Sequence, residues 1–342
     1  MEIGLYTLSD LTADPHSRRR LDARTRIAET IAAARLAEDS GFDVFGVGEH
    51  HRLDFAVSSP AVVLAAIAQA TRRIRLTSAV TVLGALDPVR VFEDFATLDL
   101  LSEGRAELIV GRGAYVESFP LFGADLHQYD ALFLERYALL RVLSRSERVT
   151  WSGRFRTALV DAAIAPRPLQ PELPLWIAVG GTPASAERAG KLGAPMTLAV
   201  LGGPIANIKP MVDRYRAAGK AAGHDDSALR VALSSHLHVG ETSQTARATF
   251  YPHYAQYWSE VTSSPPMSSA QFAQLTGRGS ALLVGSANEV AERMIEEHAL
   301  LGHQRMLMQI DLGALPFKEV ASVIERLATK VLPQVRTAIG PH

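Results

Sequence analysis

Hydrophobic and polar positions follow two different periods along this chain. Short runs rich in Val, Ile and Leu alternate with longer segments in which apolar residues recur every three or four positions. We predict buried strands from the short runs, at eight places: 2–8, 43–48, 74–81, 106–110, 175–180, 195–200, 230–239 and 305–311. A helical segment follows each strand, and this alternation predicts a parallel sheet.

Two of the predicted helices have clear start and stop signals. One covers 23–40, and Gly41 follows it at the position of a left-handed C-terminal cap. Another covers 88–102, with Asp87 as its N-cap and Gly104 just beyond its end. The inward face of this second helix is predicted to carry Val91, Phe95, Leu98 and Leu101.

The number of strand–helix repeats favours a closed barrel. Eight repeats run through residues 1–342 without a break in composition, which predicts one α/β domain, a (β/α)8 TIM barrel. An open doubly wound sheet is the alternative. The chain lacks GxGxxG and Walker A sequences, and GRGAYV at 111–116 lacks the third glycine of a dinucleotide site.

One segment departs from this repeat. The extended connection between the seventh and eighth strands contains SSPPMSSAQFAQLTGRGS at 263–280, whose Pro and Ser residues oppose regular structure. Because it follows a strand, it lies at the rim where the active sites of such barrels form. We predict that residues 259–284 form an active-site lid.

Charge and composition narrow the possible partners. Lys and Arg number 35 and Asp and Glu 36, a formal net charge of -1, so nucleic acid or a membrane surface is a poor partner. The chain has no Cys, which excludes disulfides, thiolate metal sites and a cysteine nucleophile. No basic leader precedes a long apolar segment, and no run approaches the roughly 18 apolar residues that span a bilayer. We expect a cytoplasmic protein.

The sequence VGGTPASAERAG predicts a helix that begins directly after a strand. Gly180 and Gly181 would let backbone N–H groups approach a ligand, and the hydroxyls of Thr182 and Ser185 fall in the first turn. Arg112 ends the strand of IVGRG, where its guanidinium could pair with a phosphate. The pattern indicates a phosphate-bearing cofactor or substrate; the alternative is an ordinary helix cap beside a structural ion pair.

The sequence GVGEHH places a carboxylate and two imidazoles at the end of a strand. Consecutive strand residues point to opposite faces, so Glu49, His50 and His51 cannot all reach one ion, and we expect no metal. Glu49 and His50 form either a hydrogen-bonded pair at the barrel mouth or a proton-handling group beside a ligand. His236 and His238 share one strand face and are expected to be polar residues with satisfied hydrogen bonds.

Three stretches of the chain resemble one known family. They are GFDVFGVGEHH, RLTSAVTVLGALDPVRVFEDFATLDLLSEGRAELIVGRG and VGGTPASAERAGKLGAPMTL, in this order along most of the chain. Together they resemble the bacterial luciferase-like, flavin-dependent monooxygenases, which are (β/α)8 barrels. The resemblance implies that reduced FMN binds at the rim and that its C4a reacts with O2. The resulting peroxyflavin, kept from water by the lid, would attack an unidentified small organic substrate.

The resemblance also implies a set of cofactor contacts. Arg112, Gly180, Gly181, Thr182 and Ser185 would hold the phosphate of FMN, at the place that the residue pattern already indicates. A cysteine precedes this arginine in the catalytic subunit of luciferase, and the present chain has glycine there. This departure argues against luminescence.

The family pattern gives further roles at the second and third strands. His50 would be the active-site histidine, with Glu49 beside the flavin, and His51 is expected to point away. The family has a non-proline cis peptide at the end of its third strand, which maps onto Ala79 and Val80 and would support the isoalloxazine ring.

The resemblance implies partners and leaves alternatives. A separate flavin reductase would supply reduced FMN, and two copies of the chain would pair through the second and third helices. One alternative is an oxidoreductase that uses F420, whose members more often have Asp-His at the second strand. A non-catalytic flavin-binding protein is another, and a metal-dependent barrel hydrolase would need a metal cluster that the sequence does not supply.

Overall fold

The strands of this computed structural model, which describes residues 1–113 and 115–340, form a closed barrel. In chain order they are β1 (Glu2–Thr7), β2 (Val44–Val47), β3 (Arg75–Ser78), β4 (Thr81–Val82), β5 (Ala106–Gly111), β6 (Arg148–Trp151), β7 (Leu159–Ala163), β8 (Leu175–Val179), β9 (Met196–Ala199), β10 (Val231–Gly240), β11 (Leu283–Ser286) and β12 (Arg305–Gln309). Eight parallel strands pair around the ring in the order β1, β2, β3, β5, β8, β9, β10, β12 and back to β1. The predicted TIM barrel is confirmed, and the open sheet is wrong.

Helices surround the barrel and connect its strands. They are α1 (Ala23–Asp39), α2 (Pro60–Ala70), α3 (Pro88–Leu101), α4 (Ser118–Leu121), α5 (Tyr129–Arg145), α6 (Pro183–Lys191), α7 (Lys209–Ala221), α8 (Ser243–Thr262), α9 (Ser269–Leu275), α10 (Ala287–Leu301), α11 (Phe317–Arg326) and α12 (Leu332–Ile339). None of the described helices is long and apolar enough to cross a membrane.

The ends of α3 show how well local signals fix an element. The Asp87 carboxylate accepts a hydrogen bond from the Val89 N–H at 2.8 Å, and Gly104 follows the helix with a φ of 84°. The inward face was predicted to include Leu101, and that was wrong because Leu101 is 45% exposed. Leu100 beside it is 46% exposed, so the described chain leaves the last two residues of α3 uncovered.

An ion-pair network closes the amino end of the barrel. Arg305, at the start of β12, is buried and pairs with Glu107 of β5 at 2.6 Å and with Glu2 of β1 at 2.8 Å. Arg75 of β3 also pairs with Glu107. Because the strands are parallel, their starts meet at this end, and these charges satisfy one another there. The carboxyl end is left for a binding site.

The segment between β10 and β12 is more regular than its composition suggested. It contains α8, α9 and β11, and β11 pairs with the end of β10. A capping box in which Ser268 and Gln271 exchange hydrogen bonds starts α9, a signal that the prediction missed. Residues 263–268, with the two prolines, have no helix or strand, as predicted. A second apolar core forms here, from Phe250, Tyr254, Tyr257, Val261, Met267 and Phe272 among others.

Candidate active site

A cavity of about 320 Å³ opens at the carboxyl ends of the barrel strands. Residues at the ends of all eight barrel strands line it, together with side chains from the last turns of α8. The apolar share of its lining is larger than the polar share. Six of the predicted site residues line it: Glu49, His50, Ala79, Val80, Arg112 and Gly180.

The remaining predicted residues lie at the edge of the cavity, next to Arg112. One guanidinium nitrogen of Arg112 donates to the Ser185 hydroxyl at 2.6 Å, and Ser185 lies 2.6 Å from the Thr182 hydroxyl. The helix α6 begins at Pro183 and leaves its first backbone N–H groups without partners from a capping side chain. Gly181 has a φ of 102°, which favours glycine, and lies at the exposed turn before this helix.

A second arginine joins this edge of the cavity. Arg188 lies one helical turn after Ser185, and its guanidinium approaches the Asp130 carboxylate at 3.1 Å. Arg112 pairs with the same carboxylate oxygen at 2.5 Å. Partial burial would raise the pKa of Asp130, but the two guanidinium groups outweigh it and hold that pKa below its usual range. Two guanidinium groups, two hydroxyls and the N-terminus of α6 therefore lie together at this edge, and each of these groups favours negative charge.

Glu49 pairs with His51 rather than with His50. Its carboxylate lies 2.9 Å from Nε2 of His51 and accepts the backbone N–H of Val82 at 3.1 Å. His51 also lines the cavity, so the expectation that it points away was wrong. The signal was available, because residues two apart in an extended chain share a face.

His50 packs among aromatic rings at the mouth of the cavity. Its ring stacks on Phe55 with centroids 4.0 Å apart and meets the edge of Tyr115 at 5.3 Å. Burial lowers the pKa of His50 to about 4, and the charge of Arg52 acts in the same direction. The imidazole is therefore neutral at pH 7, and it can accept or donate one proton in a hydrogen bond.

Arg52 connects three rim segments that the sequence did not link. It pairs with Asp54 at 2.6 Å, its guanidinium carbon lies 4.8 Å from the Tyr115 ring centre, and it donates to the Val261 carbonyl at 3.0 Å. Val261 lies in the last turn of α8, so the Arg52 side chain joins the loop after β2, the loop after β5 and the segment after β10. These contacts depend on long-range approach, and no local motif indicated them.

His236 and His238 differ from expectation. Both are buried, and Nδ1 of each has no hydrogen-bond partner among the described residues, so the prediction of satisfied polar groups was wrong. Burial lowers the pKa of His236 to about 3 and that of His238 to about 4. Only His236 of the two lines the cavity; His238 stacks on Phe250, with ring centres 5.1 Å apart.

The peptide bond between Ala79 and Val80 is cis, as the resemblance led us to expect. It follows β3, and Ala79 donates its backbone N–H to the Val47 carbonyl at 2.8 Å. Ala79 and Val80 both line the cavity. They follow β3, which lies in the ring between β2, before Glu49, and β5, before Arg112.

Comparison with known proteins shows which family the chain resembles. The family described as luciferase-like monooxygenase matches residues 1–304. The chain is 29% identical to 4-hydroxyprotoasukamycin monooxygenase of Streptomyces nodosus subsp. asukaensis over 300 residues, which cover 82% of this chain and 79% of that protein. The crystal structure of monooxygenase RslO1 from Streptomyces bottropensis aligns with a TM-score of 0.83 at 27% identity, covering 97% of this chain and 99% of that one.

A more distant structure shares the fold. The oxygenating constituent of 3,6-diketocamphane monooxygenase of Pseudomonas putida, solved with FMN, aligns with a TM-score of 0.79 at 18% identity, covering 98% of this chain and 99% of that one. The family match includes seven of the eight barrel strands and ends just before β12. The chain belongs to the luciferase-like monooxygenase family of flavin-dependent oxidoreductases.

Proposed function

We propose that this protein is an FMN-dependent monooxygenase that uses reduced FMN and O2 to oxygenate a small organic substrate in the cytoplasm. One observation carries the proposal: Arg112 and Arg188 both pair with the Asp130 carboxylate at the edge of a largely apolar cavity. A phosphate at that edge with an apolar ring system inside the cavity matches this division of polarity. FMN combines these two parts.

The phosphate-binding part involves Arg112, Arg188, Ser185, Thr182 and the N-terminus of α6. Asp130 stands where the phosphate would bind, because its carboxylate already bridges both arginines. The side chain of Asp130 is 57% exposed, so it can turn into solvent when a phosphate takes its place. Gly180 and Gly181 leave the approach open, since no heavy atom lies within 4 Å of a Cβ placed on either.

The ring-binding part would lie along Ala79, Val80, Glu49 and His50, which line the cavity. When bound, reduced FMN would supply the reaction with O2 at its C4a atom, by way of a C4a-peroxyflavin. Neutral His50 can hold or transfer one proton beside the reacting atoms. The predicted lid, 259–284, would keep water out of the cavity, because water promotes decay of a reactive oxygen adduct.

Two partners complete the proposal: a separate flavin reductase as the source of reduced FMN, and a second copy of this chain. The surface of α2 supports the second copy. The helix carries no charged residue, and its Val62 is 68% exposed. Leu100 and Leu101 lie exposed at the end of neighbouring α3. An uncovered apolar surface of this kind is typical of an interface.

The cofactor assignment is tested by titrating the purified protein with FMN and with F420, each oxidised and reduced. Reduced FMN is expected to bind, with riboflavin binding more weakly because it lacks the phosphate. Binding of F420 without binding of FMN would contradict the proposal and would favour an F420-dependent oxidoreductase.

A further inference from the structure

Three polar side chains form a row inside the barrel, opposite the proposed phosphate site. Tyr6 of β1 and His236 of β10 are both in register with Gln309 of the strand between them, β12. All three line the cavity. β12 lies four strands from β5 in either direction around the ring, so this row faces the side that carries Arg112.

Two members of the row have unused hydrogen-bonding atoms. Gln309 is fully buried, and neither its amide nitrogen nor its amide oxygen has a partner among the described residues. Nδ1 of His236 likewise lacks one, and that residue is 3% exposed. Buried polar atoms are nearly always paired, because leaving them unpaired is costly. Two neighbouring exceptions on the wall of a cavity point to a ligand that pairs with them.

The surroundings of the row are aromatic. His236 meets the edges of Tyr254 and Tyr257 at centroid distances of 5.6 and 6.2 Å. Tyr257 and Trp258 of α8 also line the cavity. Rings of this kind favour a planar or cyclic apolar body, since aromatic pairs stack or meet edge to face.

Charged side chains on the cavity wall already have partners. Glu49 pairs with His51, Arg52 pairs with Asp54, and Arg112 pairs with Asp130 at the opposite edge. Burial lowers the pKa of His236 to about 3, so its imidazole carries no charge at neutral pH. Among the described residues that line the cavity, an anionic substrate would therefore find no unpaired cation, and an uncharged substrate needs no counter-charge.

We propose that Gln309 and His236, with Tyr6 beside them, recognise a hydroxyl or carbonyl group on an uncharged ring-bearing substrate. The inference rests on the proposed function, because it takes the opposite edge of the cavity as the cofactor side. The Gln309 amide offers two N–H donors and an acceptor oxygen, and Nδ1 of a neutral imidazole either donates or accepts. A phenolic hydroxyl, which both donates and accepts, satisfies this pair most completely.

Calorimetric titration with three matched probes tests the inference on FMN-loaded protein. The probes are p-cresol, toluene, which lacks the hydroxyl, and 4-methylbenzoate, which adds a negative charge. We expect p-cresol to bind about 5-fold more tightly than toluene, the effect of about one net hydrogen bond. We expect 4-methylbenzoate to bind more weakly than either. Equal binding of p-cresol and toluene would overturn the inference and leave buried water as the occupant of the row.

Variants assign the preference to the row. His236→Phe and Gln309→Leu are each expected to reduce the preference for p-cresol over toluene to less than about 2-fold. His238→Phe is the matched control, because His238 lies on the same face of β10 with an unpaired Nδ1 but does not line the cavity. The preference should survive in this control. A cooperative thermal unfolding transition shows that a variant is folded. If His236→Phe does not fold, Gln309→Leu tests the inference in its place.

FMN affinity, measured separately on every variant, distinguishes the substrate from the cofactor. If the row variants weaken FMN binding but keep the preference for p-cresol, the row belongs to the flavin and the inference is wrong. The same titrations without FMN separate the inference from the proposed function. Failure of wild-type protein to bind FMN contradicts the proposed function. Even if wild-type protein does not bind FMN, a preference for p-cresol over toluene that is lost in the row variants would support this recognition site.

Discussion

At the residue scale, the edge of the cavity is organised by two guanidinium groups that share one exposed carboxylate. Arg112 could be placed from the sequence, because it ends a strand directly beside the turn that carries Ser185 in the barrel. Arg188 and Asp130 could not. Asp130 lies in α5 and Arg188 in α6, and their approach to Arg112 becomes visible only when the barrel closes. Local motifs therefore indicated Arg112 and Ser185, and that these residues bind a phosphate stays a prediction.

Replacement of Arg112 tests the phosphate contact. Arg112→Ala is expected to weaken FMN binding by about 10-fold to 100-fold, the effect of losing a charge-assisted hydrogen bond. Riboflavin binding should change little, because riboflavin has no phosphate. Arg148→Ala is the control, since Arg148 pairs with Asp161 on the exposed β6–β7 hairpin. An equal loss for FMN and riboflavin would contradict the assignment.

Replacement of Asp130 should have the opposite effect on FMN affinity. Asp130→Asn removes the carboxylate that competes with the phosphate for Arg112 and Arg188. FMN should bind up to about 5-fold more tightly, because an exposed ion pair of this kind contributes little energy. Fluorescence titration with FMN measures the effect, and weaker FMN binding would argue that Asp130 itself positions the arginines.

The buried carboxyl group of Glu297 should make the free energy of unfolding depend on pH. Burial in α10 raises its pKa to about 8, although Arg293 opposes the shift, and the reference value is 4.5. Between these values the folded protein binds more protons than the unfolded chain. The stabilising effect is therefore complete below about pH 4.5 and is lost as the pH rises through about 8.

A neutral replacement should remove this dependence. Glu297→Gln is expected to reduce the fall in melting temperature between about pH 5 and pH 8 by roughly 3 °C. Glu296→Gln is the matched control on the same helix, where the side chain is half-exposed and pairs with Arg278. Identical pH profiles for wild type and Glu297→Gln, measured by circular dichroism, would show that the buried carboxyl does not titrate as described.

At the element scale, the segment between β10 and β12 combines a packed core with an irregular stretch. The sequence predicted the irregular 263–268 but missed the order of α9 and β11, because their apolar residues pack against distant parts of the chain. Arg52 shows the same limit, since its contact with Val261 crosses from the second strand to the end of α8. Whether 259–284 acts as a lid stays a prediction.

The contact of Arg52 gives that prediction a test. Arg52→Ala should release the end of α8 and admit water to the cavity, so hydrogen peroxide should be released sooner after reduced FMN in the protein meets O2. We expect the rate of peroxide release to rise at least about 2-fold, with FMN affinity unchanged. Arg278→Ala is the control, because Arg278 lies in the same segment but is exposed and absent from the cavity wall. Unchanged peroxide release in Arg52→Ala would count against a lid.

At the scale of the whole molecule, the barrel was the most predictable feature. Eight strand–helix repeats and clear helix ends, such as Asp87 before α3, determine the architecture locally. Closure of the barrel follows from pairing of β12 with β1, which no local pattern specifies. The exposed Leu101 was misplaced for a related reason, since helix period alone does not show what covers the last turn.

That uncovered surface leads to a prediction about assembly. Val62→Glu should convert the proposed dimer to a monomer, because a carboxylate would be buried without a partner in the interface. Size-exclusion chromatography with light scattering gives the mass directly. Val160→Glu is the control, as Val160 is 81% exposed on the β6–β7 hairpin away from α2. A wild-type monomer, or a dimer unaffected by Val62→Glu, would contradict this interface.

The central claim is that the cavity stabilises oxygenated flavin for attack on a substrate. The most direct measurement is rapid mixing of the anaerobic complex with reduced FMN against O2, followed by absorbance. A transient species distinct from both reduced and oxidised FMN, and shorter-lived in His50→Ala despite normal FMN binding, is the result that we expect. Direct reoxidation with no transient species, in wild-type protein that binds reduced FMN, would contradict the monooxygenase assignment and favour a flavin-binding or reductase role.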